Sequence, residues 1–304
     1  MIACKGRVGV IGATSLTGDH LLPLLVDNGY DVVAFSRQAQ GTQRPFKNPH
    51  VEWQIIRQSE SAVSTDMFPP EKQIAHWLCL APIWVLLEYF PLLLLYGVQH
   101  IVAISSTSRF AKADSSDIAE QQLSFRLIKS EQCLISWAEK NQVTWTILRP
   151  TLVYGLGQDK NITMIARFIQ RFSFFPLLGA ASGLRQPLHA HDLALSCLAS
   201  LNLKAAINHS YNISGGETLS YREMVGRIFS ALGKKQRFVT FPLWLFRLAV
   251  MCLRVLPRFS HWSAAMAGRM NSDLVYDHTD ARRDLGVTPR PFDLTGDDLP
   301  QKRS

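Results

Sequence analysis

The chain has 304 residues, 47% hydrophobic and 18% charged, with 32 Lys and Arg against 24 Asp and Glu and a formal net charge of +8. That much apolar material fills one large or two modest cores, which excludes a disordered chain, a collagen-like repeat and a disulfide-framed miniprotein. Cys4, Cys79, Cys133, Cys197 and Cys252 form no C-x-x-C pair and read as buried thiols of a reducing, cytoplasmic compartment.

The N-terminus passes directly into Val-Gly-Val-Ile, so no secretory signal is expected. Arg7 to Ile11 reads as a strand, Gly12 to Gly18 as a tight turn, and the leucines from Leu21 to Leu25 as a helix kinked at Pro23 and closed by Asn28-Gly29. Tyr30 to Phe35 is a second strand, completing a βαβ unit. Further strands are expected at Val51–Ile56, Ile74–Leu80, Ile101–Ser105 and Thr144–Leu148. Helices are expected at Ile83–Tyr96 and Phe125–Lys140, with Thr107 to Ser124 as a loop between. This alternation predicts an α/β fold, a doubly wound, Rossmann-like parallel sheet, with a smaller C-terminal substrate-binding part. The division expected is residues 1–155 plus about 185–215 for the first part, and about 156–184 plus 216–304 for the second.

Two apolar stretches invite a membrane reading. Pro82 to Tyr96 is too short and is interrupted by Glu88 and Pro91, and Phe238 to Leu256 carries Arg247 and Arg254. Both read as buried or half-buried helices, with peripheral contact of the second on anionic lipid as the minor alternative. No Lys/Arg run or aromatic-basic stripe points to nucleic acid.

The turn Gly12-Ala13-Thr14-Ser15-Leu16-Thr17-Gly18 has glycine where a sharp turn and close helix packing require it, ahead of a helix N-terminus that suits a pyrophosphate. The second strand ends in Ser36-Arg37 rather than an acid, which points to the 2′-phosphate of NADP(H) in preference to NAD(H). In the second half, Ser220 and Glu223 form a capping box, with Met224 in the core and Gly233 at the helix end. Asp192 reads as the N-cap of a helix from Leu193 to Leu201, preceded by His189 and His191 on a strand; metal binding is not expected there.

These residues resemble the short-chain dehydrogenase/reductase superfamily, in its extended and atypical, epimerase/dehydratase-like branch. Gly12-x-x-Ser15-x-x-Gly18 is similar to its Gly-x-x-Gly-x-x-Gly turn, and Ile104-Ser105-Ser106-Thr107 to its catalytic-serine strand, making Ser106 the serine. Leu148-Arg149-Pro150 through Tyr154-Gly155 is similar to the segment near the nicotinamide, and Tyr211 to Gly216 to the strand that follows. The resemblance adds Ala81 and Pro150 to the expected cofactor contacts of Gly12, Thr14, Ser15, Leu16, Gly18, Ser36 and Arg37. It implies Arg185 for the diphosphate of a nucleotide sugar and Gln58 or Ser59 for the adenine, and it is compatible with a homodimer.

The family's Tyr-x-x-x-Lys pair matches Phe125-x-x-x-Lys129, so the phenol is missing and Lys129 is left to hold the cofactor and serve any proton relay. Two expectations follow. Either the chain is an oxidoreductase with an altered relay acting on a nucleotide sugar or similar carbonyl or hydroxyl substrate, or it is a non-catalytic NADP(H)-binding protein with a structural or redox-sensing role.

Overall fold

The computed structural model describes residues 5–37, 46–56, 73–113, 115, 117–242 and 264–301. Cys4, Gln58, Ser59, Arg247, Cys252, Arg254 and Arg258 lie outside the described residues. Seven parallel strands form the central sheet: β1 (Gly6–Ile11), β2 (Tyr30–Ser36), β3 (Val51–Ile55), β4 (His76–Cys79), β5 (His100–Ile104), β6 (Thr144–Pro150) and β7 (His209–Ile213), in the order 7-6-5-4-1-2-3.

Period-two alternation explains why both faces are covered. Val8, Val10, Val32 and Ala34 enter one core, and Ile11, Val33 and Phe35 the other. On the first face lie α1 (Leu16–Asp27) and a helix from Ala190 to Asn202. On the second lie the helical turns between Ile83 and Leu95 and α2 (Ile118–Lys140). The sheet reverses its order between β1 and β4, the place where open α/β sheets take ligands.

Three local expectations change. Helix α1 runs unbroken through Pro23. The stretch from Ile83 is not one helix: it breaks at Leu87–Tyr89 into a 3-10 turn and restarts with Pro91 in its first turn, where a missing N–H costs nothing. Helix α2 starts at Ile118, seven residues before Phe125, because Asp117 caps it by accepting the Ala119 N–H at 2.9 Å.

A third core holds the C-terminal part together: Tyr154, Ile162, Ile165 and Ile169 pack against Phe175, Met224, Phe229 and Phe292. It contains α3 (Ile162–Phe172), a parallel two-stranded ladder of Phe175–Leu178 with Phe238–Phe241, and the helix Tyr221–Ala231 with the expected Ser220/Glu223 capping box. Among the described residues, no helix is long and apolar enough to cross a membrane.

Candidate functional site

The turn after β1 is built for close approach. Gly12 has φ of +79°, and a Cβ there would stand 2.6 Å from the Ala81 backbone nitrogen; at Gly18 it would stand 2.1 Å from the Ala13 carbonyl oxygen. Neither position accepts a side chain without backbone movement. Ser15 caps α1, its Oγ accepting the Gly18 N–H at 3.2 Å. The amides of Leu16 and Thr17 have no acceptor within the helix, and the positive end of its dipole meets the exposed Thr14. This cradle, with Ala81 across the switch point, fits a dinucleotide pyrophosphate. At the end of β2, Ser36 is half-buried and Arg37 exposed.

At the carboxyl ends of β5 and β6 a cleft of about 550 Å³ opens, walled by Ser106, Thr151, Gln186 and Tyr276 among others. Ser106 Oγ accepts the Ser108 N–H at 3.1 Å, which leaves its own proton to point elsewhere. Pro150 is buried beside it, and its carbonyl accepts both the N–H and the hydroxyl of Thr107 at 3.1 Å. Lys112, Glu120 and Arg269 bring charge to the wall: Glu120 accepts from Arg269 Nη1 at 2.5 Å and lies 3.8 Å from Lys112 Nζ. Burial pushes the Tyr276 phenol upward, against the pull of Arg185, so it keeps its proton at neutral pH.

Phe125 and Lys129 do not join this cleft. The inward stripe of α2 carries Ser124, Leu127, Glu131, Leu134 and Ala138, all buried. At about 100° per residue, positions 125 and 129 fall roughly 150° and 190° from the centre of that stripe. Phe125 is 67% exposed, Lys129 is exposed, and neither lines the cleft. The expectation that Lys129 reaches the ligand through the Phe125 register is therefore corrected. Glu120 is the residue of this helix that lines the cleft.

Glu131, with a side chain 2% exposed, ties the cleft wall together. It accepts from Ser105 Oγ at 2.5 Å and Arg149 Nη2 at 2.7 Å, and pairs with Arg109. Ser105 is thereby pinned, and the loop bearing Ser106 with it.

Arg185 does reach the cleft wall, but its guanidinium is already engaged. It donates to the carbonyls of Leu184 at 2.6 Å and Ser272 at 2.8 Å and also to that of Arg269, closing the carboxyl end of the helix Ala264–Asn271. The residue is only 4% exposed, and the diphosphate role expected of it is not what its contacts describe. Arg269, which the sequence reading passed over, presents the more open guanidinium to the cleft, at 44% exposure.

Asp192 is not the N-cap of its helix. The helix begins at Ala190 with His189 as cap, whose Nδ1 accepts the His191 N–H at 3.1 Å. That acceptor role leaves Nε2 as the donor to Asp298 Oδ1 at 3.1 Å. Burial pushes the Asp298 carboxyl up, but bonds from His189 and Thr295 outweigh it and hold it at about 2. Asp192 instead accepts from Arg290 N and Nε at 2.9 and 3.0 Å. His20 packs tilted against His189 and edge-on against His191, with ring centroids 5.3 and 5.6 Å apart, its Nε2 buried without a partner.

Residues 85–214 match the NAD dependent epimerase/dehydratase family. The chain is 23% identical to a UDP-glucose 4-epimerase of Vibrio cholerae over 137 residues, 45% of this chain and 42% of that one. It is 28% identical to the short-chain dehydrogenase/reductase family 42E member 1 of Mus musculus over 168 residues, 48% of this chain and 41% of that one. The matched segments thus span less than half of either relative. A Thermotoga maritima UDP-glucose 4-epimerase solved with UDP-glucose superposes with a TM-score of 0.68 over 93% of both chains at 16% identity, which establishes the shared fold. With its 3-2-1-4-5-6-7 sheet, its glycine turn at the switch point and the family match over residues 85–214, the chain is similar to the extended short-chain dehydrogenases/reductases, on their NAD-dependent epimerase/dehydratase side.

Proposed function

We propose that the chain is an NADP(H)-dependent oxidoreductase acting on a carbonyl or hydroxyl of a nucleotide sugar or similar polar ligand, by a proton relay that does not run through α2. The observation that carries this reading is the combination of the Gly12/Gly18 cradle with a polar cleft fronted by Ser106. Arg37 at the end of β2 suits a 2′-phosphate where NAD-preferring sites place an acid. Relatives of the same fold are described with UDP-glucose, and with UDP-glucuronic acid and NAD.

A bound nicotinamide supplies hydride exchange; the chain supplies position and the proton. The Ser106 hydroxyl, accepting from Ser108, donates to the reacting oxygen. Tyr276, the protonated phenol of the same cleft, donates the proton that accompanies reduction of a carbonyl. Arg269, with Glu120 and Lys112 beside it, is the cation group available to an anionic ligand.

A second reading, a non-catalytic NADP(H)-binding protein, is favoured by one feature: the inward stripe of α2, Ser124, Leu127, Ser130, Glu131, Leu134 and Ala138, brings neither a phenol nor a lysine to the cleft. Thermal melting with NADPH and with UDP-glucose, followed by a turnover assay, separates the two. Expected are a rise in melting temperature with each ligand, and turnover that Tyr276→Phe removes while both rises persist. No rise with UDP-glucose contradicts the nucleotide-sugar assignment, and binding of both without turnover by wild type supports the non-catalytic reading.

A further inference from the structure

The outward face of α3 does not have the composition of a solvent face. Ile162, Ile165, Ala166 and Ile169 turn into the C-terminal core. At about 100° per residue, Met164, Arg167, Phe168, Arg171 and Phe172 share an arc of roughly 140° on the other side. Met164 is 64% exposed and Phe172 50%. Phe168 packs against Phe172 and Phe174 with ring centroids 4.7 and 5.7 Å apart, and the Arg171 guanidinium lies 5.5 Å from the Phe172 ring.

This surface extends onto the neighbouring strand. Lys234 Nζ donates to the carbonyls of Ile169 and Gln170 at 3.0 and 2.9 Å, tying the approach to Phe238–Phe241 against the end of α3. Within that strand Val239 and Phe241 are 41% and 37% exposed. Single exposed apolar residues are ordinary, but a continuous group of them marks a contact surface.

Among the described residues of these elements the exposed charge is positive, from Lys160, Arg167, Arg171, Lys235 and Arg237, while Asp159 is engaged in capping the start of α3. A second copy would bring like charge to Arg167 and Arg171. An anionic bilayer satisfies both characters at once, since it offers phosphates to the guanidinium groups and an apolar boundary to the aromatic rings.

We infer that the outer side of α3, with the strand Phe238–Phe241, docks on an anionic phospholipid surface. Met164, Phe172 and Phe241 enter the headgroup boundary, and Arg167, Arg171 and the exposed Arg237 meet the phosphates. Asn161, at the N-terminal end of the same helix, lines the ligand cleft, so the docking face and the cleft share one element.

Sedimentation of the full chain with vesicles of phosphatidylcholine, alone or mixed with phosphatidylglycerol, tests this. Expected is binding to the mixed vesicles only, weakening as salt is raised. The double variant Arg167→Glu/Arg171→Glu should bind at least about tenfold more weakly. Phe172→Ser should also weaken binding, with circular dichroism and melting temperature unchanged in both. Equal binding to neutral and mixed vesicles, binding to neither, or wild-type binding by both variants overturns the inference. So does a dimer in light scattering that these substitutions dissociate in place of vesicle release.

Discussion

Gly12 shows how little latitude the turn after β1 has. A methyl group there meets the Ala81 nitrogen at 2.6 Å in a backbone region that costs a non-glycine residue about 1–3 kcal/mol. Gly12→Ala should therefore lower the melting temperature and abolish the rise produced by NADPH, as read by thermal melting with and without the nucleotide. Glu131 is a different kind of constraint: one buried carboxylate serves two guanidinium groups and a hydroxyl. Glu131→Ala leaves Arg109 and Arg149 uncompensated and should cost about 3–5 kcal/mol in urea unfolding, the usual loss when half of a buried ion pair is removed. A loss below about 1 kcal/mol would mean that solvent already reaches those charges.

Helix α2 is where reading the sequence and folding it part company. Its existence was legible, but its start and face were not. The inward stripe includes Ser124, Ser130 and Glu131, so an apolar periodicity search loses it and a motif search settles on Phe125 and Lys129. A signal was present in Asp117 followed three residues later by Glu120, the spacing of a helix start. Because Lys129 lies on the far side, Lys129→Ala should leave NADPH affinity within about twofold of wild type by titration calorimetry, a difference under about 0.5 kcal/mol. A loss of tenfold or more would restore the motif register and contradict the placement of the helix. By contrast, β1, α1 and β2 were readable because strand alternation, glycine turn and helical leucine spacing all point the same way. Arg185 was readable as important but not in its role, since two of the three carbonyls that claim it, those of Ser272 and Arg269, come from distant sequence and reach it only after folding.

At the scale of the whole molecule, buried histidines make stability depend on pH. Burial, reinforced by His189 and His191, lowers His20 to about 4, and burial with His76 lowers His100 to about 4. Below their ordinary value of 6.5 the unfolded chain takes up protons that the folded chain refuses, so stability falls as pH drops from 6.5 toward 4. Asp298, held at about 2 against an ordinary 3.8, adds a further loss as pH falls through that lower window. His20→Leu removes a buried unpaired nitrogen and should flatten the slope between pH 6.5 and 4 in a series of melting curves. An unchanged slope would place the titration elsewhere.

The net positive charge, read first as a property of composition, divides into local roles. Arg37 stands at the end of β2, Arg185 and Arg269 at the cleft, and the arginines of α3 on an outer face. Calorimetric titration of the wild type and of Arg37→Glu with NADPH and NADH tests the central claim most directly. The account predicts tighter binding of NADPH by the wild type and collapse of that preference in the variant. Tighter binding of NADH, or the same preference in both proteins, would contradict it.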